Sequence, residues 1–158
     1  MLKQGFLLAV VVLCTACVSQ ANHTDKIEQW LDKPAHVQAQ AIASGDTTSA
    51  EIVGGYLARI KQLDIKVNSI LALNPNALTE AKAIDKQLAN GETLGPLAGI
   101  PVLLKDNIES KEMPTTAGSM ALITNDTGRD APIVEKLKAA GAIILGKTNL
   151  SEWQTFAL

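Results

Sequence analysis

Apolar and polar positions alternate along this chain with two distinct periods. Ile52, Val53, Tyr56, Leu57, Ile60 and Leu63 recur every three or four residues, which places them on one face of a helix over 51–63. Thr48-Ser49-Ala50-Glu51 stands just ahead of them as a capping-box pattern. A second helical period, Leu78, Ala81, Ile84, Asp85 and Leu88, predicts a helix from about Ala77 to Ala89, closed by Asn90-Gly91. Val37, Ala41 and Ile42 mark a shorter helix that ends at Gly45. Asp130 reads as the cap of a last helix with Pro132 in its first turn, passing through Val134, Leu137 and Ala140 to Gly141.

Three short apolar runs have the other character. Ile70-Leu71-Ala72-Leu73, Pro101-Val102-Leu103-Leu104 and Ala142-Ile143-Ile144-Leu145 are uninterrupted and bounded by turn residues, as buried strands are. The last is read as ending at Gly146-Lys147-Thr148-Asn149. Runs apolar on both faces and separated by a helix are typical of a parallel sheet covered by helices on each side, so the fold class is α/β.

Composition narrows the function classes. The 158 residues are 47% apolar and 19% charged, which fits a packed core, and only 3% aromatic, so that core is aliphatic. A formal net charge of −2 without a basic run leaves no electrostatic footprint for nucleic acid, which is not an expected partner. His23 and His36 have no metal-ligand spacing around them, so no metal site is expected.

The N-terminus reads as an export signal over 1–21: Lys3 supplies the positive region, and Phe6 to Ala16 form an apolar stretch too short to span a bilayer as a mature helix. Two cleavage readings stand. Ser19-Gln20-Ala21 suits cleavage before Asn22 and a soluble exported product, whereas Leu13-Cys14-Thr15-Ala16-Cys17 is similar to a lipoprotein signal ending at Ala16, with membrane anchoring through a lipidated Cys17. The Cys14/Cys17 pair lies in this segment and is therefore not read as a redox motif. A polar, partly helical lead-in over 22–47 would follow, and then one domain over 48–158.

Lys105 is the candidate catalytic residue. It closes the apolar run after Gly95-Pro96-Leu97-Ala98-Gly99 and is followed by Asp106-Asn107, beyond the carboxyl end of a strand, where open α/β sheets place their sites. A strand-end lysine ordinarily snorkels its ammonium into solvent. Desolvated instead, a lysine loses its proton more readily and can act as the base of a serine–lysine hydrolase. The cluster Thr115-Thr116-Ala117-Gly118-Ser119 reads first as turn chemistry and otherwise as a loop packed against the lysine. Ser119 lacks the following glycine and the strand-turn-helix setting of a nucleophile elbow, and is rejected as a nucleophile. The frame Gly141-Ala142-Ile143-Ile144-Leu145-Gly146-Lys147-Thr148 matches a phosphate-loop expression in letters only, because its middle four residues are a strand.

From about Thr48 to Glu152 the chain resembles the amidase signature family. The resemblance rests on Leu97-Ala98-Gly99-Ile100-Pro101-Val102-Leu103-Leu104-Lys105-Asp106-Asn107, on Thr115-Thr116-Ala117-Gly118-Ser119, on Asp130-Ala131-Pro132-Ile133-Val134 and on Gly141 through Glu152. It implies part of the amidase signature fold, a mixed sheet with helices on both faces preceded by N-terminal helices. It also implies cleavage of carboxamide C–N bonds in small amide substrates by a serine–cis-serine–lysine triad, with Lys105 as the lysine and no cofactor. In that family the two serines sit in a Gly-Ser-Ser-Gly-Gly type loop beyond the segment matching Asn149 to Trp153, and the chain reaches only Leu158. The expectation is thus a fragment that is inactive alone and exposes an apolar sheet edge prone to aggregation. Two alternatives stand beside it. One is the related tRNA-dependent amidotransferase component, against which the export signal argues; the other is a non-catalytic envelope module that keeps half of the fold.

Overall fold

The computed structural model describes residues 27–151. The stretch read as an export signal, with Cys17, lies outside them. After helical backbone at 27–31, α1 (Ala35–Ser44) ends as the sequence implies, with Gly45 in the left-handed region at φ 79°. The longest helix, α2 (Ser49–Val67), begins with the capping box intact: Glu51 N–H donates to Thr48 Oγ1 at 3.1 Å, and Thr48 N–H donates to Glu51 Oε2 at 3.0 Å. It runs beyond Leu63 to a left-handed Asn68, so its last turns carry Ile65 and Val67 exposed.

Then follow β1 (Ile70–Leu73), α3 (Ala77–Ala89), β2 (Pro101–Lys105), a 3-10 turn (Met120–Leu122), α4 (Pro132–Ala139) and β3 (Ile143–Thr148). The sheet order is β1-β3-β2, with β3 parallel to β2 and antiparallel to β1. It is a mixed sheet, not the purely parallel one that apolar runs alone suggest; both neighbours bury β3, and an antiparallel partner requires no different composition from it.

Two further readings are corrected. β3 does not stop at Leu145 but continues through Gly146, Lys147 and Thr148, paired on both sides. Asp130 does not cap α4; Ala131 occupies the cap position, and the Asp130 carboxylate instead accepts from Lys111 N–H at 3.0 Å and Lys138 Nζ at 2.8 Å. Pro132 already removes one donor from the first turn, so the helix starts without a side-chain cap.

The core lies on both faces of β3. Val53, Ala77 and Ala81 of α2 and α3 cover Ile143 and Leu145; Val134 of α4, with Met113 and Leu104, covers Ile144. A third cluster, Ile42, Ile52 and Ile100, joins α1 and α2 to the residue before β2. There Ser49 Oγ donates to the Gly99 carbonyl at 2.9 Å. Gly99 adopts φ +78°, and a Cβ on it would stand 2.6 Å from that of Ser49. This contact, with Gly99 N–H on Gly141 O and Ile143 N–H on Ile100 O (both 2.9 Å), sets where β2 begins and therefore where it ends.

Candidate active site

Lys105 is the last residue of β2, opposite Thr148 of β3, and its side chain is half-buried. The chain turns directly after it: Ile108 N–H donates to Lys105 O at 2.9 Å, and Asp106 N–H donates to Thr148 O at 3.2 Å. Strand alternation decides which way each side chain goes. Leu104 faces Met113, Val134 and Ile144, so Leu103 and Lys105 belong to the opposite face. Gly146 confirms this, since a Cβ there would lie 3.3 Å from Leu103 Cδ2 and 3.2 Å from Leu73 Cδ2. Leu73 and Leu103 remain 42% and 38% exposed, so Lys105 ends β2 beside two part-exposed leucines, on the face whose Ile143 and Leu145 lie under α2 and α3.

Asp106 turns the other way. It is 1% exposed and sits with Lys147, which is 0% exposed. Lys147 Nζ donates to Ile108 O at 2.7 Å and Thr115 Oγ1 at 2.9 Å, and stands 3.4 Å from Asp106 Oδ1. Asp106 Oδ2 accepts from Thr116 N–H at 3.1 Å and from Thr116 Oγ1. Desolvation pulls the Lys147 ammonium below the ordinary lysine value of 10.5, opposed by the charge and hydrogen bond of Asp106. With three polar partners and no exposure, Lys147 cannot meet a substrate. Of the two strand lysines, only Lys105 is part-exposed.

The 115–119 loop shows the turn chemistry read from its sequence, but it does not bond the Lys105 amine as the other reading expected. Gly118 N–H donates locally to Thr116 Oγ1 at 3.2 Å, while Thr115 and Thr116 lock onto Lys147 and Asp106. The lysine it packs against is therefore Lys147, which the sequence pattern assigns to a turn. The burial of Lys147 is legible only in the apolar run before it, and its polar partners only in three dimensions, 32 to 41 residues away. Ser119 is 4% exposed, and its Oγ accepts from Ala121 N–H at 3.3 Å as a cap of the 3-10 turn. Gly146-Lys147-Thr148 is ladder strand, so its backbone cannot cradle a phosphate.

A salt-bridged clamp supports the site from outside. Lys138 of α4 reaches Glu112 Oε1 at 2.5 Å and Asp130 Oδ2 at 2.8 Å, tying α4 to the segment between Lys105 and the 115–119 loop. A cleft of about 560 Å³ between α1, α3 and the 91–98 segment includes His36 but not Lys105. Among the described residues no group of three His, Cys, Asp or Glu side chains is assembled to hold a metal.

Comparison with known proteins places the chain among amidases. Residues 51–157 match the family model described as Amidase. A glutamyl-tRNA(Gln) amidotransferase chain of Thermobifida fusca is 46% identical over 114 residues, covering 72% of this chain and 23% of the relative. Native peptide amidase from Stenotrophomonas maltophilia superposes with a TM-score of 0.74 at 42% identity, over 78% of this chain and 26% of that one. An amidase family protein from Bacillus anthracis gives 0.75 at 36% identity, over 84% and 27%. The chain thus spans about a quarter of the length of each.

Proposed function

The chain belongs to the Amidase family, and we propose that it supplies the lysine of a serine–bridging serine–lysine amide hydrolase, with Lys105 in that role. The observation that carries this reading is the division of labour between neighbours. Asp106, adjacent to Lys105, is committed to Lys147 and Thr116, while Lys105 forms no ion pair among the described residues and ends β2 half-buried, on the face opposite Leu104.

In this reading the neutral Lys105 amine accepts a proton from the bridging serine, which takes one from the nucleophilic serine as that oxygen attacks the carboxamide carbon. The proton returns to the departing ammonia or amine, and water then cleaves the acyl ester by the same relay. The serine pair belongs to a Gly-Ser-Ser-Gly-Gly type loop, which these 158 residues do not contain. Its backbone N–H groups would stabilise the tetrahedral oxyanion. The substrate class is a small linear amide. The 158-residue chain alone is inactive in this proposal, and the active enzyme adds such a loop. Export follows from the 1–21 signal, to the periplasm or, through Cys17, to the membrane surface of a bacterial envelope.

The test is ammonia release from a panel of primary amides, by the chain alone and by the polypeptide that continues it through a serine loop. We expect no turnover by the first. In the second, Lys105→Ala should lower kcat/KM by about a thousandfold or more. Undiminished turnover by Lys105→Ala would overturn the assignment, and activity of the chain alone would overturn the need for the missing loop.

A further inference from the structure

Lys147 takes no part in that relay, yet it is the largest fully buried side chain among the described residues. An ammonium at such a position costs several kcal/mol of desolvation, and an apolar residue of the same length would avoid that cost. What the ammonium adds is a set of fixed points. All three of its partners, Asp106, Ile108 O and Thr115 Oγ1, lie on the segment that follows Lys105.

The bonds form a chain that begins at Lys105. The Lys105 carbonyl accepts from Ile108 N–H at 2.9 Å, and the Ile108 carbonyl accepts from Lys147 Nζ at 2.7 Å. On the other side Asp106 N–H is held by Thr148 O at 3.2 Å, next to Lys147 in the chain. The turn over residues 105–108 is thus fastened to β3 by backbone pairing and by one buried cation. The same cation engages the carboxylate adjacent to Lys105 on the face away from the Lys105 amine.

We propose that Lys147 is a positioning residue for Lys105, its ammonium fixing the 105–108 turn on β3 and holding the Asp106 carboxylate on the opposite face. This rests on the reading of Lys105 as the base. A role in stability alone would be met by any well-packed replacement of the pair, whereas a positioning role would not.

The experiment compares four forms of the continued, loop-containing polypeptide in primary-amide turnover and thermal melting: the parent, Lys147→Met, Lys147→Met/Asp106→Asn and Lys105→Ala. Lys147→Met leaves the buried Asp106 carboxylate without its counter-charge and should melt well below the parent. The double variant removes both charges and should recover most of that loss. In both Lys147 variants kcat should fall by about tenfold to a hundredfold with KM within about twofold, as expected for a displaced base. A double variant that regains both the melting temperature and kcat would show a structural role only and overturn the proposal. Should the single variant fail to fold, the double variant decides. If Lys105→Ala is inactive while both Lys147 variants keep parental kcat, positioning fails and the base assignment stands; if Lys105→Ala retains activity, both fall.

Discussion

Gly146 of β3 lies so close to the Ala72 backbone of β1 that a Cβ on it would stand 2.5 Å from the Ala72 carbonyl oxygen. Because the obstacle is backbone, no rotamer change relieves it. Gly146→Ala should therefore force β1 from β3 and cost about 1–3 kcal/mol, measured as a lowered urea midpoint. Gly54 in α2 has nothing within 4 Å of its Cβ direction, and Gly54→Ala should raise stability by about 0.5–1 kcal/mol. Equal effects at the two positions would contradict the pairing of β1 with β3.

Asp85 of α3 ties that helix to the N-terminus of α2. Its carboxylate accepts from Ser49 N–H at 2.7 Å and Ala50 N–H at 2.9 Å, satisfying two free donors at the α2 N-terminus from another helix. Asp85→Ala should lower stability by about 1–2 kcal/mol, whereas Asp85→Asn, which keeps one acceptor, should lose less. Amide exchange at Ser49 and Ala50 would locate the effect, and unchanged protection there would refute it.

The Lys138 clamp gives stability a defined pH window. Burial alone would raise Glu112, but hydrogen bonds from Lys138 and Ser110 and the Lys138 charge bring it below its ordinary 4.5. Burial likewise opposes Asp130, which Lys138 and the Lys111 amide still bring below 3.8. Lys138 itself is desolvated, yet its two carboxylate partners lift it above 10.5. Carboxyls with lowered folded values contribute fully above their ordinary values and lose the contribution as pH falls through the folded ones. The raised amine contributes below 10.5 and loses its share as pH rises through its folded value. The stability gap between parent and Lys138→Met should therefore be flat from about pH 5 to 9 and shrink towards both extremes. A gap that persists undiminished into strong acid would contradict the clamp.

The exposed leucines of the two outer strands should make the chain self-associate. β1 and β2 are the outer strands of the sheet, and Leu71, Leu73 and Leu103 are exposed on them. Leu73→Lys/Leu103→Lys should shift the sedimentation profile towards monomer without lowering helix content by circular dichroism. A parent chain that is monomeric at micromolar concentration would contradict the expectation.

The sequence by itself determined every element whose signal is local. Thr48 and Glu51 lie three residues apart and can only bond each other by starting a helix; Gly45 stops one because it alone takes φ 79° without strain. The apolar run from Pro101 to Leu104 fixed β2 and put Lys105 at its end. What tertiary structure decided depends on partners distant in the chain. Asp130 looks like a helix cap until Lys138 and Lys111 claim its carboxylate. Gly146-Lys147-Thr148 looks like a turn until β1 and β2 pair with it from both sides. Above all, the sequence offers two lysines near strand ends and nothing to rank their fates. Burial among Asp106, Ile108 and Thr115 fixes Lys147, and strand alternation sends Lys105 to the opposite face. Only the packed sheet can impose that difference, because hydrogen-bonding a buried ammonium requires groups that the chain brings together across 41 residues.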